Sequence, residues 1–194
     1  ALENARLFAD TQKSAQCSEA LYRTSHALSS YLEEEPVVRV VLEAVYRTLG
    51  CEYVHIATVD EESRTIGLLH GIWQGEFDIF PEWIQMAQYP LDHPDITPDT
   101  YRTGRTEIIG EWDDRFNRAI WDKFGHERLL RIFMPIRIRD RVIGVVEVGY
   151  DRREKGHISE DEVQLLAAFM DQAAVALENV RLFEREAQRR QEAE

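Results

Sequence analysis

The sequence predicts an α+β domain: a central antiparallel sheet of five or six strands, with long N- and C-terminal helices packed on one face. Three observations carry this expectation. Four segments place apolar residues at a period of two, three place them at a period near 3.6, and the two clearest strands are consecutive. Those strands fill residues 131–150, RIFMPIRIRDRVIGVVEVGY. In the first, Ile132, Met134, Ile136 and Ile138 alternate with Phe133, Pro135, Arg137 and Arg139. The second, residues 142–148, is nearly all β-branched, and Gly144 and Gly149 let a neighbour approach closely. The turn at Arg139, Asp140 and Arg141 lacks glycine, so its type stays open. A long helical stretch follows at once and must lie on this sheet.

From the start of the chain, residues 2–32 hold no proline or glycine and permit one long helix. Leu7, Thr11, Ser14, Ser18, Leu21, Ser25, Leu28 and Leu32 follow alternating steps of four and three. That is a heptad seam, but half of it is Ser or Thr, so it would hold a dimer weakly and let its register shift. The other reading is a helix packed on its own domain over residues 21–32. Glu33, Glu34 and Glu35 then precede Pro36, which suits the first turn of a second helix in charge and in the missing N–H. Val38, Val41, Leu42, Val45 and Leu49 give it a buried stripe, and Gly50 stops it. Residues 53–59 and 65–73 read as a strand pair across the polar loop 60–64. With Asp60 opposite Thr65, His55 falls opposite His70 on one face. Two imidazoles are an incomplete metal site, and a one-residue slip would separate them.

Residues 75–125 are irregular and rich in aromatic residues interleaved with prolines. Short helices are expected at 81–87, 98–103 and 114–124, and a short strand at 106–109. In the closing helix Val163, Leu166, Met170, Ala173, Leu177 and Val180 form one apolar seam, while Leu165, Phe169, Ala176 and Phe183 make a second side apolar. A helix apolar on two sides must be covered on two sides, by the sheet and by the N-terminal helix of the same chain or of a second copy.

At 194 residues, 44% hydrophobic and 30% charged, the chain can bury one core of ordinary size. A net charge of −13 excludes sequence-independent nucleic-acid binding and would be repelled by an anionic membrane. Cys17 and Cys51 make neither a disulfide framework nor a paired metal spacing, so a reducing compartment is expected. No run of about 18 apolar residues occurs, and the expected location is the cytoplasm.

The run MPIRIRDRVIGVVEVGY, a charged loop and ISEDEVQLLAAFMDQAAVALENVRLF together resemble the second half of a GAF domain, a fold related to PAS. The resemblance covers roughly residues 35–183, with 1–34 as a connecting signalling helix and 184–194 as the start of a linker helix. Residues 1–9, ALENARLFA, match residues 176–184, ALENVRLFE, at seven of nine positions, 175 residues apart. One copy closes the GAF-like helix, so the other is expected to close a similar preceding domain in a tandem array. The resemblance implies a non-catalytic sensory or regulatory module that binds a small molecule, forms a homodimer through its long helices, or both. It would signal to adjacent domains of the same chain, such as the output domain of a sensor histidine kinase or a cyclase. The alternative is a purely structural dimerisation domain with an empty cavity.

In that family the irregular stretch walls a ligand cavity, which makes Trp73, Phe77, Trp83, Trp112, Phe116, Trp121, His126 and Phe133 the candidate lining. They either stack on a planar ligand or close one end of the sheet as a satellite cluster. No cofactor is named by the sequence. Bilin attachment needs a Cys, commonly beside a His, and sulfoxide reduction needs several reactive cysteines; Cys17 and Cys51 offer neither. Of the cyclic-nucleotide pattern only the acidic pair Asp161 and Glu162 matches fully, and it also makes an ordinary capping box with Ser159. A haem would need His93 or His126. Phosphate loops, HExxH and nucleophile elbows are absent. Glu147, mid-strand among valines, is expected at the sheet's wet margin rather than in the cavity, because a buried carboxylate needs a partner. Arg128, Arg131, Arg137, Arg139 and Arg141 put positive charge along the hairpin, either for an anionic ligand or in answer to the acidic surface.

Overall fold

The computed structural model describes residues 2–31, 33–78 and 86–192, without the side chains of residues 2–10, 124 and 192. Trp83 and most of the expected 81–87 helix lie outside the described residues. Helix α1 spans Leu2–Leu28 and ends short of the limit that proline and glycine alone would set. Ser29 and Ser30 explain the early stop. The Ser29 hydroxyl donates to the His26 carbonyl at 2.7 Å, and the Ser30 and Tyr31 amides tighten onto Ala27 and Leu28. Helix α2, Glu34–Leu49, carries Glu34 and Glu35 in its first turn and ends at Gly50, whose φ of 61° a side chain would resist. It buries the expected valine and leucine stripe together with Val37.

Strands β1 (Tyr53–Asp60), β2 (Thr65–Trp73), β3 (Glu76–Phe77) and β4 (Tyr89–Pro90) come next. Helix α3 (Ile96–Thr103), β5 (Glu107–Ile109), helix α4 (Arg118–Phe124) and a 3₁₀ turn at His126–Arg128 lead to β6 (Leu129–Ile138) and β7 (Arg141–Asp151). Helix α5 (Glu160–Glu192) closes the chain. Among the described residues the strands form one seven-stranded sheet in the order β3-β2-β1-β7-β6-β5, with β4 beside β2. Every pairing in it is antiparallel. The count exceeds the expected five or six because β3 and β4 have two residues each, too few to leave a period in the sequence. In the β6–β7 turn Arg139 takes φ 53°, the position a glycine often fills.

One face of the sheet is covered by α2 and α5, with α1 as an outer layer over them. Val54 and Ile56 of β1, Ile132, Met134 and Ile136 of β6, and Val146 and Val148 of β7 meet Leu42, Leu166, Phe169 and Leu177 there. At the start of α5 the capping box forms: the Ser159 amide donates to Glu162 Oε2 at 2.9 Å, and the Glu162 amide donates to Ser159 Oγ at 3.3 Å. Helix α1 packs on α2 and α5, and Gln172 Nε2 donates to the Leu21 carbonyl at 3.2 Å. The second apolar side of α5 is therefore covered within the chain at Phe169 and Ala176. Elsewhere on the same helix, Val175, Leu182 and Phe183 stay 56%, 52% and 50% exposed. Among the described residues no helix is long and apolar enough to cross a membrane.

The expected His55–His70 pair does not form. Asp60 does pair with Thr65, but a bulge after Ile56 shifts the register, so His55 faces Gly71 and Ile56 faces His70. Cross-strand partners share a face, so His70 joins Ile56 on the helix side and His55 points the opposite way. His70 Nδ1 instead meets Asp78 Oδ2 at 2.6 Å.

Candidate functional site

The face away from the long helices holds the ionisable groups. Alternation along three adjacent strands puts Tyr53, His55 and Ala57 of β1, Glu147 of β7, and Arg131 and Phe133 of β6 on it. Register brings them together, since His55 pairs with Glu147 across β1–β7 and Phe133 with Glu147 across β6–β7. Gly149, opposite Tyr53, makes room: a Cβ there would sit 2.0 Å from the tyrosine ring. Helix α3 lies across β6 and β7 on this side. Ile120 of α4 packs on Tyr53 and Leu129. Between cover and sheet remains a cavity of about 40 Å³.

Glu147 is the hub. At 6% exposure it lies on a central strand, which corrects the expected wet margin: with β1 and β6 on either side there is no margin at this position. The partners that such burial needs are present. His55 Nε2 lies 2.9 Å from Oε2, and the Tyr53 hydroxyl donates to Oε1. Arg131 Nη1 stands 3.5 Å from Oε1. Burial alone would push the Glu147 carboxyl up, but His55, Arg131 and the hydrogen bonds from His55 and Tyr53 outweigh it and hold it well below the usual carboxylate range. The Tyr53 hydroxyl is pushed the other way, by burial and then by the charge of Glu147.

Arg131, 3% exposed, lies over the Phe116 ring at 3.8 Å and reaches Trp121 at 5.1 Å. Its Nη1 also comes within 3.4 Å of His126 Nδ1. A guanidinium can only donate, so Nδ1 is the acceptor and neutral His126 carries its proton on Nε2. Burial, then the charge of Arg131, lowers the His126 pKa to about 4 and keeps it neutral at pH 7. On the opposite wall Asp95 caps α3, accepting from the Thr97 amide at 3.1 Å, and burial raises its carboxyl to about 6.

Of the residues expected to line a cavity, Phe116, Trp121, His126 and Phe133 meet at this one. Trp73 stacks on Tyr53 at 4.9 Å, Phe77 stacks on His70 at 5.3 Å, and neither is part of the described lining. Trp112, 38% exposed, stands outside it with its ring edge-on to Trp121. Trp83 lies outside the described residues. His55, Asp95, Arg131 and Glu147 were not among the expected lining. For His55, Arg131 and Glu147 the signal is an ionisable residue set among apolar ones in each of three strands; Asp95, which precedes α3, carries no such mark. His93, the other haem candidate, is exposed and stacks on Tyr89. Among the described residues no group of three or more His, Cys, Asp and Glu is placed to hold a metal ion. Cys51 packs in the helix-side core, where burial pushes its thiol up to about 12, and Cys17 sits on α1.

The family model of the GAF domain matches residues 32–178. The chain belongs to the GAF domain family. Its fold matches a methyl-accepting chemotaxis protein, residues 122 to 287, at TM-score 0.66 and 21% identity, covering 82% of this chain and 98% of that one. The GAF domain of a phosphoenolpyruvate-protein phosphotransferase from Coxiella burnetii gives TM-score 0.71 at 9% identity, covering 87% and 96%. The free methionine-R-sulfoxide reductase of Neisseria meningitidis, solved with its substrate, gives 0.65 at 16%, covering 88% and 93%. No curated protein matches the chain in sequence. GAF domains occur in signalling proteins and are generally non-catalytic, and likeness at these identities concerns the fold alone.

Proposed function

We propose that the chain is a non-catalytic sensory GAF module of a cytoplasmic signalling protein, with its small-molecule site in the cavity between sheet and α3–α4. The observation that carries this reading is the cluster of Glu147, Arg131, His55 and His126, buried beside an unfilled space. Buried charges are costly, and their concentration at a cavity favours a binding role over a structural one. Occupancy would shift β6 and β7, on whose opposite face α5 packs, and so bias an adjacent output domain such as that of a sensor histidine kinase. The exposed Val175, Leu182 and Phe183 support a homodimer through α5, because a single chain leaves that stripe in water. Native mass spectrometry of protein isolated unheated from cells tests the sensor reading: a retained small molecule lost on refolding supports it, and a bare chain that melts identically before and after refolding opposes it.

The volume of about 40 Å³, against roughly 300–1,000 Å³ for ordinary ligand sites, favours a second reading: a structural dimerisation domain whose cavity stays empty.

A further inference from the structure

We propose that residues 111–117 form the gate of the cavity and that Arg115 is the positioning residue that holds it shut. The use of such a gate rests on the ligand-site reading above; whether the strap opens does not. At about 40 Å³, against roughly 300–1,000 Å³ for ordinary sites, the cavity admits a ligand of usual size only if a wall moves. Its walls differ in how they are tied down. The strands are held by their antiparallel ladders. Helix α3 packs on β6 and β7 and is capped by Asp95, and its Arg102 donates to the carbonyls of Leu91 and His93 at 2.7 and 3.0 Å. Residues 111–117 have no such anchorage. Among the described residues their backbone–backbone hydrogen bonds are local, from the Phe116 amide to the Asp113 carbonyl at 2.9 Å and from the Trp121 amide to the Asn117 carbonyl at 3.0 Å. A segment outside the ladder and held by side chains belongs to the low-cost end of local opening.

Two side chains hold the strap from opposite sides. On the inside, the Phe116 ring lies 3.8 Å from the Arg131 guanidinium and 5.3 Å from the Trp121 ring, and Phe116 and Asn117 form part of the cavity wall. On the outside, Arg115 bonds three carboxylates at once. Its Nη1 donates to Asp99 of α3 at 2.6 Å, and Nη1 and Nη2 donate to the two oxygens of Glu107 in β5 at 3.0 and 2.7 Å. Nε and Nη2 each donate to Asp113 at 3.0 Å. Asp113 belongs to the strap and fixes the guanidinium, while Asp99 and Glu107 belong to the elements on either side. The ion pair of Glu111 with Arg152, at 4.0 Å and with an exposed glutamate, holds little. Without Arg115, Asp113 would face Asp99 and Glu107 with no cation between them, and their repulsion would push the strap off α3 and β5. Arg115, Asp99, Glu107 and Asp113 are 30%, 25%, 28% and 28% exposed in their side chains, so salt reaches the latch, whereas the packing of Phe116 does not depend on it.

The test is amide hydrogen exchange, followed by NMR on the ¹⁵N-labelled chain with no ligand added. It is read at Phe116 and, as a control, at Val41 in the buried stripe of α2. Arg115→Gln should speed exchange of the Phe116 amide at least tenfold and leave Val41 unchanged. Arg115→Lys, which keeps the charge but cannot fork Glu107, should fall between the two. Raising NaCl from about 0.1 to about 1 M shortens the screening length from about 10 to about 3 Å. That change should speed Phe116 severalfold in the wild type and not in Arg115→Gln, where salt screens only repulsion. Unchanged Phe116 exchange in Arg115→Gln, or Phe116 and Val41 speeding by the same factor, would overturn the latch. An equal salt response in both proteins would overturn its ionic cause. Because no ligand is present, these outcomes leave the ligand-site reading to the native mass spectrometry described above.

Discussion

The pairing of Arg131 with Glu147 gives the sharpest energetic prediction, because both charges are buried. At 3.5 Å and an effective dielectric of about 20, their attraction is about 5 kcal/mol. Glu147→Gln keeps the shape but leaves Arg131 as an uncompensated buried cation, and should cost about 3–5 kcal/mol. Arg131→Met should cost somewhat less, about 2–3 kcal/mol, because Glu147 keeps His55 and Tyr53 while the methionine still packs on Phe116. The double variant buries neither charge, so its loss should fall short of the sum of the singles by about 2–4 kcal/mol. Urea denaturation at pH 7 measures all four corners, with an unchanged m-value confirming that compactness is shared. Additivity within about 0.5 kcal/mol would refute the claim that the two residues answer one another.

Acidity gives a second prediction. Asp95, raised to about 6 from an unfolded value near 4, destabilises the fold while ionised, so stability from this group rises as pH falls from 6 to 4. His126, lowered to about 4 from near 6.5, does the reverse, and each effect is worth up to about 3 kcal/mol. The wild-type profile should therefore be flatter over this window than that of Asp95→Asn, which retains only the histidine arm; parallel urea midpoints at pH 7, 6 and 5 would contradict this. Trp121→Ala, at a nearly buried ring, should cost about 3–5 kcal/mol, and Trp112→Ala, at a half-exposed one, about 1 kcal/mol; thermal melts that rank them equally would remove the distinction between wall and rim. Sedimentation equilibrium should show a dimer that Val175→Glu with Phe183→Glu dissociates without loss of fold, since both residues are already exposed. A wild-type monomer at tens of micromolar would rule out assembly through this stripe.

The hairpin, the three long helices and the capping box were legible because each depends on local periodicity or on a three-residue spacing. The site was legible only in part. Glu147 could be assigned to a strand, but whether that strand lay at an edge or between β1 and β6 depended on pairings that local sequence does not encode. The bulge near Leu69 was hidden for a related reason: one extra residue changes the face of His70 without changing any apolar pattern on β1. Trp112 and Trp121 look alike in sequence, yet only one faces the sheet, because Asn117 caps α4 between them through bonds to Ala119 and Ile120 and sets the direction in which that helix presents Trp121. Arg131 and Arg137 both stand between apolar residues of the same strand, so alternation alone does not tell the buried arginine from the exposed one.

The central claim is that the buried ionisable cluster exists to receive a small molecule. The most direct measurement follows the Arg131 Nε–H and Trp121 indole signals while a filtered low-molecular-weight extract of the source cells is added. The account predicts that both signals move together and return on dialysis, while a reporter on the helix-side core such as Leu42 stays folded throughout. Signals that remain fixed in every fraction of the extract, with the cavity still inaccessible, would contradict it and leave the empty dimerisation domain as the better description.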